Sequence, residues 1–463
     1  MGENVPVMTV DVVLSGGTIV TPSGLVGPNV GIAVNDGVIV SVGYDDDLPN
    51  ANTVYDCEGQ YIAPGIVDCH VHTREPGYES RDDWEHVTRS AAAGGVTTII
   101  AMPNTDPVVD CPENLQLVYD LIEEKSLIDA QSYGLLGADN VDQLRPMAEA
   151  GAVGFKCFLM TGDQYQWSSP NDGQLIRAME EVASIGRRVG FHEENAEIVN
   201  HFMAEFQEAG KNEAIWHARA AAPIAEVEAI TRLCLFSEYT GCPVHMFHES
   251  SGSGAEVVLR AKQQGVDVTA ETMPHYLQLS TETLEAKGSA ARVNPPLRDA
   301  DEVELLWKVG IEQGAIDCIA TDHAPYTDDE KGMDDPFQSI WNTNSGFVGV
   351  ETQVPAMLTL VNEGRISYSK WIRMHSQRPA EIWGLYPRKG AIQVGSDADV
   401  IVFDPTTEWT LDRHDLRSKT TVTPYDGERF VGKVTKTFVR GEMVFDGDEI
   451  TQEPGFGRVV ETT

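Results

Sequence analysis

The sequence has no uninterrupted apolar run near the ~18 residues that a membrane-spanning helix needs. It has no Cys-x-x-Cys pair, and it is short of cations. Lys and Arg number 33 against 72 Asp and Glu in 463 residues, a formal net charge of −39. The first shortage predicts no membrane partner. The seven cysteines (Cys57, Cys69, Cys111, Cys157, Cys234, Cys242 and Cys318) stand singly and are odd in number. That argues against a disulfide scaffold or a cysteine zinc finger and for a reducing compartment. The opening MGENVPVMTVDVVLSGG lacks a basic stretch followed by a long apolar one, so a cytoplasmic protein without a secretory leader is expected. The shortage of cations excludes nucleic acid and anionic membranes as partners. The acids are spread through DDDLPN (45–50), SRDDWE (80–85) and TDDEKGMDD (327–335) rather than gathered in a tail. Such a surface stays hydrated in concentrated salt, which predicts a salt-adapted host.

No GxGxxG or GxxxxGK[ST] loop follows an apolar run, which counts against a doubly wound open sheet built around a nucleotide. What is present is one form repeated eight times: a short strand-like run that ends in polar residues before a helical stretch. The runs are IVDCHVHTRE (66–75), TTIIAMPNTD (97–106), AQSYGLLGAD (130–139), AVGFKCFLMT (152–161), RVGFHEENAE (188–197), CPVHMFHESS (242–251), DVTAETMPHY (267–276) and IDCIATDHAP (316–325). Continuous apolar runs alternating with amphipathic helices indicate buried parallel strands in βα units. Eight of them predict an α/β protein of the (β/α)₈ TIM-barrel type. Residues 8–62 and 390–446 read instead as period-2 strands broken by SGG, NDG and RGE turns, hence hairpins. The two ends are expected to join as one small β-sandwich domain. The expected division is 1–62 for its first part, 63–375 for the barrel, and 376–463 for a linker helix and the rest of the β domain.

In such a barrel, polar residues at the strands' C-terminal ends face the mouth where chemistry occurs. The first run ends in His70-Val71-His72, and residues two apart on a strand point the same way. Lys156 stands inside the apolar GFKCFLM, and later runs supply His192, His248 and Asp322. Four imidazoles, one acid and one lysine would converge at one mouth. A dry ammonium costs several kcal/mol unless it is paired or modified. Its amine can combine with carbon dioxide to give a carbamate, an anionic oxygen ligand that two divalent cations would favour and share. Strand alternation turns Cys69 and Cys157 away from the cavity, as packing residues. His86, His201, His217, His245, His375 and His414 carry no motif and are expected on the surface or in the core.

This pattern resembles the amidohydrolase superfamily, in particular the cyclic-amidase branch that holds dihydroorotase, allantoinase, hydantoinase and dihydropyrimidinase. The likeness runs from YIAPGIVDCHVH to KGAIQVGSDADVIVFD, nearly the whole chain. It implies a first metal on His70, His72 and Asp322 and a second on His192 and His248. A carboxylated Lys156 (N6-carboxylysine) and a hydroxide would bridge the two. Zinc suits these donors, with manganese, cobalt and iron as alternatives. Asp322 would be the catalytic base and then acid. The substrate would be a small cyclic amide, and the assembly a homo-dimer or homo-tetramer.

HVHTREPG, MPNT and ARVNPPLRD resemble dihydroorotase, which implies that Arg74, Asn104 and Asn294 bind a substrate carboxylate. GFKCFLMT, HEENAEI and APIAEVEAITRL resemble allantoinase more closely. Thr161 stands where hydantoinases carry tyrosine, and Tyr326 where dihydroorotases carry histidine after DHAP. His275 and His323 are expected beside the pocket. The resulting expectation is a dihydroorotase interconverting dihydroorotate and N-carbamoyl-aspartate in pyrimidine biosynthesis. The alternatives are an allantoinase converting allantoin to allantoate, then a hydantoinase or dihydropyrimidinase. A dead scaffold of the same fold would have shed ligands, and a mononuclear deaminase would lack the lysine. SSGSG (250–254) reads as a plain turn, and TDDEKGMDD as a solvated loop able to act as a lid.

Overall fold

The structure, a computed structural model, describes residues 9–160 and 167–462. The chain opens with strands β1 (Val10–Thr21), β2 (Gly24–Asn35), β3 (Val38–Tyr44), β4 (Ala51–Asp56) and β5 (Tyr61–Pro64). Eight barrel positions follow: β6 (Ile66–Val71), β7 (Val96–Ala101), β8 (Asp129–Ser132) continued by β9 (Gly134–Leu135), β10 (Phe155–Phe158), β11 (Val189–His192), β12 (Val244–Met246), β13 (Val268–Thr272) and β14 (Cys318–Ile319). Strands β15 (Val400–Thr410), β16 (Arg429–Val439) and β17 (Glu442–Phe445) complete the set. All eight runs expected to be barrel strands are strands, paired in parallel in chain order. The ring closes where Val71 bridges His323 and the His72 N–H donates to the His323 carbonyl at 2.8 Å.

Local chemistry sets the helices between strands. Asp83 accepts from the His86 N–H ahead of helix Trp84–Ala93, and Asn171 and Gln174 cap each other at the start of Asp172–Ser184. Such caps satisfy amides that have no partner inside the helix. Helix Pro223–Thr240 starts on a proline and stops at Gly241, whose φ of 70° suits glycine,. Buried apolar side chains from every barrel strand form one core with these helices,. Among the described residues no helix is long and apolar enough to cross a membrane.

Both ends of the chain build a single eight-stranded sheet, in the order β17-β16-β15-β5-β1-β2-β3, with β4 also on β1. The hairpins are antiparallel as expected, but β1 pairs in parallel with β4 over Val10–Ser15 and with β5 over Thr18–Ile19. Sharing one edge between two strands splits the sheet into the two layers of a β-sandwich. Its interior holds Leu14, Ile19, Ile32, Val34, Ile62, Val400, Val402 and Phe438. Strand alternation on β15 sends Val400 and Val402 inward while Ile401 and Phe403 join the barrel core,.

Where the β-sandwich meets the barrel lies a buried cation, Lys389. Its ammonium contacts Asp129 of β8, Asp397 (2.9 Å) and Asp399 (2.7 Å), and Asp129 also pairs with Arg440. The segment near the C-terminus returns to β8 as well: Ala130 N–H donates to Arg458 O (2.9 Å) and Val460 N–H to Ala130 O (3.0 Å).

Candidate metal centre

The six residues expected at the mouth share one cavity of about 420 Å³. His70 Nε2 and His72 Nε2 lie 3.2 and 3.1 Å from the same oxygen, Asp322 Oδ1. His192 Nδ1 lies 2.9 Å from His248 Nε2. Lys156 is fully buried and its Nζ has no hydrogen-bond partner among the described residues. It sits 4.0 Å from the Phe247 ring centroid and 4.9 Å from that of Phe158. His248 and Asp322 hold φ of 42° and 49°, a conformation uncommon without glycine, which aims both side chains inward.

Three of the four imidazoles are held from behind. His70 Nδ1 meets Glu271 Oε1 at 2.6 Å, His72 Nδ1 meets Asn104 Oδ1 at 2.7 Å, and His192 Nε2 meets Glu194 Oε2 at 2.9 Å. Each oxygen can only accept from the imidazole, so it fixes the N–H there and leaves the other ring nitrogen's lone pair facing the cavity. Glu271 is itself anchored, accepting from His245 Nε2 (3.3 Å) and Cys69 Sγ (3.1 Å), while His245 Nδ1 meets Thr269 Oγ1 at 2.8 Å.

The charges follow from this packing. Burial alone would push Glu271 up, but His70 and His245 hold its carboxyl down at about 2,. Burial would likewise raise Asp322, yet His70 and His72 keep it well below the usual carboxylate range. Burial lowers the Lys156 amine to about 8, against the pull of Glu193 and Asp322. Anionic Asp322, four convergent imidazoles and a buried amine without a hydrogen-bond partner among the described residues make a donor set that fits divalent cations,.

The other expected residues divide. Arg74, Asn104, Asn294 and Tyr326 line the cavity. The Arg74 Nε donates to Pro325 O at 3.2 Å, and its guanidinium stacks 4.7 Å over the Tyr326 ring. Among the described residues no carboxylate lies within ion-pair distance of it, because Glu75 is taken by Lys125. Asn104 and Asn294 have their carbonyl oxygens committed to His72 and to His217 Nε2 (2.8 Å). Thr161 falls outside the described residues.

His275 and His323 are not among the cavity's lining residues. His275 packs edge-on against Tyr276 and Phe347. His323 Nδ1 accepts from the Gly349 and Val350 amides at 3.2 and 3.3 Å, with Nε2 facing Asp82. Cys69 and Cys157 are buried in the core and are not among the cavity's lining residues; β6 slips register against β7 between Asp68 and Val71, and the Cys69 sulfur meets Glu271. TDDEKGMDD is more than a solvated loop. Its Lys331 is fully buried, donating to Arg292 O and Asn344 O at 3.0 Å each, and so ties Trp341, Thr343, Asn344 and Ser345 to the cavity wall.

Sequence reasoning missed Glu271, Glu194, His245 and His217 as supports of the site. A buried acid in VTAET and a second one in HEE were available signals, since an anion inside a strand needs a cationic or N–H partner.

The sequence profile of the Amidohydrolase family matches residues 61–444. The chain is 34% identical over 445 residues to an allantoinase of Escherichia coli (strain K12 / DH10B), covering 95% of this chain and 96% of that one. It is 33% identical over 433 residues to an L-hydantoinase of Paenarthrobacter aurescens, covering 93% of each. The solved L-hydantoinase (dihydropyrimidinase) from Arthrobacter aurescens superimposes with a TM-score of 0.94 at 32% identity, covering 98% of this chain and 100% of that one. A D-hydantoinase structure gives 0.89 at 27% identity, covering 98% and 100%.

Proposed function

This chain belongs to the amidohydrolase family and is an enzyme acting on cyclic amides, and from that premise we propose that it opens a five-membered cyclic ureide, allantoin before substituted hydantoins. The observation that carries this reading is the end-to-end likeness to proteins named allantoinase and L-hydantoinase. It moves the substrate away from the dihydroorotate expected of the REPG and MPN motifs, and with it away from pyrimidine biosynthesis.

In this reading His70, His72 and Asp322 would hold one cation, and His192 and His248 a second, with Lys156 as a shared anionic ligand once carboxylated. Bound there, the cations would supply Lewis acidity and lower the pKa of water toward neutrality. Zinc is favoured by the imidazoles, and metal analysis of purified protein tests it. Lys156 acquires its charge when the amine nitrogen bonds to the carbon of CO₂ and releases a proton. A pKa brought down to about 8 by burial leaves a substantial neutral fraction of amine for that step,. Asp322, kept anionic by His70 and His72, takes the proton of the attacking water. It then delivers that proton to the ring nitrogen as the C–N bond breaks. Glu271, Asn104 and Glu194 hold the imidazoles still throughout.

Glu271→Gln removes the anion behind His70 while keeping the shape of the side chain. Metal affinity, read by chelator competition, is expected to fall roughly 10–100-fold with an unchanged circular dichroism spectrum. An unchanged affinity would remove Glu271 from the centre.

One observation favours a second reading. Arg74 presents to the cavity a guanidinium that no described carboxylate pairs, as a substrate bearing a carboxylate would require. If so, Arg74→Ala raises KM for dihydroorotate about 10–100-fold, the worth of a charged hydrogen bond, and hardly changes it for allantoin or hydantoin. Equal effects on all three would discard the carboxylate.

The deciding experiment is a hydrolysis panel of allantoin, hydantoin, dihydrouracil and dihydroorotate, run at low salt and in concentrated KCl. Highest kcat/KM on allantoin is expected; turnover of dihydroorotate alone would overturn the five-membered reading. The net charge of −39 supports activity retained in concentrated salt, in the cytoplasm of a salt-adapted cell. Light scattering on the same preparation tests for the homo-dimer or homo-tetramer.

A further inference from the structure

Behind His70, away from the cavity, lies a second group of metal-ligating side chains, of which the proposed reaction uses only Glu271, as the support of His70. Cys69 comes from β6, Glu271 from β13 and Cys318 from β14, and Glu271 and Cys318 are direct partners in the parallel register. One ligand atom from each residue, two sulfurs and one carboxylate oxygen, lies within 4.8 Å of the others, and all three side chains are fully buried. Cys69 lies within the stretch, between Asp68 and Val71, where β6 slips register against β7.

We propose that Cys69, Cys318 and Glu271 form a binding site for a thiophilic d¹⁰ cation, separate from the histidine centre and coupled to it through the Glu271 carboxylate. Two sulfurs and one oxygen are a soft, low-coordinate donor set, which selects such ions over magnesium, calcium or manganese. Binding a divalent cation M²⁺ forms two M–S bonds and releases the two thiol protons to solvent. The ion replaces the Cys69 S–H as the partner of Glu271 Oε2. The other oxygen, Oε1, accepts from His70 Nδ1 at 2.6 Å. A cation on the shared carboxylate draws charge from Oε1 and loosens the hold on His70, so occupation inhibits turnover from behind the substrate.

The test titrates Cd²⁺ into metal-replete protein carrying Cys111→Ser, which removes the most exposed cysteine. A thiolate-to-cadmium charge-transfer band in the ultraviolet distinguishes a sulfur site from the histidine centre, which has no sulfur. One Cd²⁺ per chain is expected to produce the band, with a tenfold or greater loss of turnover that follows its growth. Both band and inhibition disappear in Cys69→Ser and in Cys318→Ser and persist in Cys234→Ser. Anomalous scattering from Cd²⁺-soaked crystals of protein without the Cys69 and Cys318 changes gives the same answer independently of how those variants fold: a peak between the Cys69 and Cys318 sulfurs supports the site. Cadmium confined to the histidines and Asp322, or a band that survives Cys318→Ser, overturns it. Neither result depends on which cyclic amide is the substrate.

Discussion

Lys156→Ala is expected to lower kcat/KM by roughly a thousandfold, equivalent to about 4 kcal/mol of lost transition-state stabilisation, and to leave the protein unable to retain its full metal content. The lysine is buried beside Phe158 and Phe247, with no hydrogen-bond partner for its amine among the described residues. Such a position makes little sense for a structural ammonium, since a dry, unpaired cation destabilises the fold. It is intelligible if the amine becomes an anion shared by two cations. The variant should therefore fold as well as the parent, with an unchanged circular dichroism spectrum. Acetate or propionate, small enough to enter the space vacated, should restore part of the activity in a concentration-dependent way. Full turnover at ordinary metal content would remove Lys156 from the mechanism.

Lys389→Met is expected to have its large effect on stability instead. Its ammonium is fully buried, and it is the shared partner of Asp129, Asp397 and Asp399, which join β8 of the barrel to the segment entering β15. Removing one partner of a buried ionic group leaves the others uncompensated in a low dielectric, at a cost of about 3–5 kcal/mol. Arg440 still pairs with Asp129 and Arg388 with Asp397 at 3.0 Å, so the buried Asp399 is the carboxylate that loses its only ion-pair partner among the described residues. Thermal unfolding should show the loss, while Arg429→Met, which breaks the exposed pair with Glu408, should shift the midpoint little. Equal small shifts for both variants would mean that the Lys389 cluster does not hold the two parts together.

The two expectations differ in how they could be foreseen. Lys156 announces itself in the sequence, because one cationic residue inside an apolar run has few physical explanations. Lys389 does not: it follows Arg388 in an ordinary basic turn, and its three carboxylates come from positions 129, 397 and 399. The same contrast runs through the centre. The eight strands were legible because buried parallel strands are short apolar runs at regular spacing, and the His-x-His pair was legible because strand residues two apart share a face. The substrate motifs are less informative, since REPG and MPN are loops of a few residues while the likeness to allantoinase and L-hydantoinase runs the length of the chain.

The sequence alone determined the barrel and singled out the four imidazoles, the lysine and the acid that meet in one cavity at its mouth, because periodicity and residue type are local properties. Only the tertiary structure decided what stands behind them. Glu271 on His70, Asn104 on His72 and Glu194 on His192 are contacts whose geometry depends on how strands, loops and rotamers settle together. It also turned His323 away from the mouth, because its Nδ1 accepts from the Gly349 and Val350 amides, and it brought the Cys69 sulfur to Glu271, where β6 slips register against β7,.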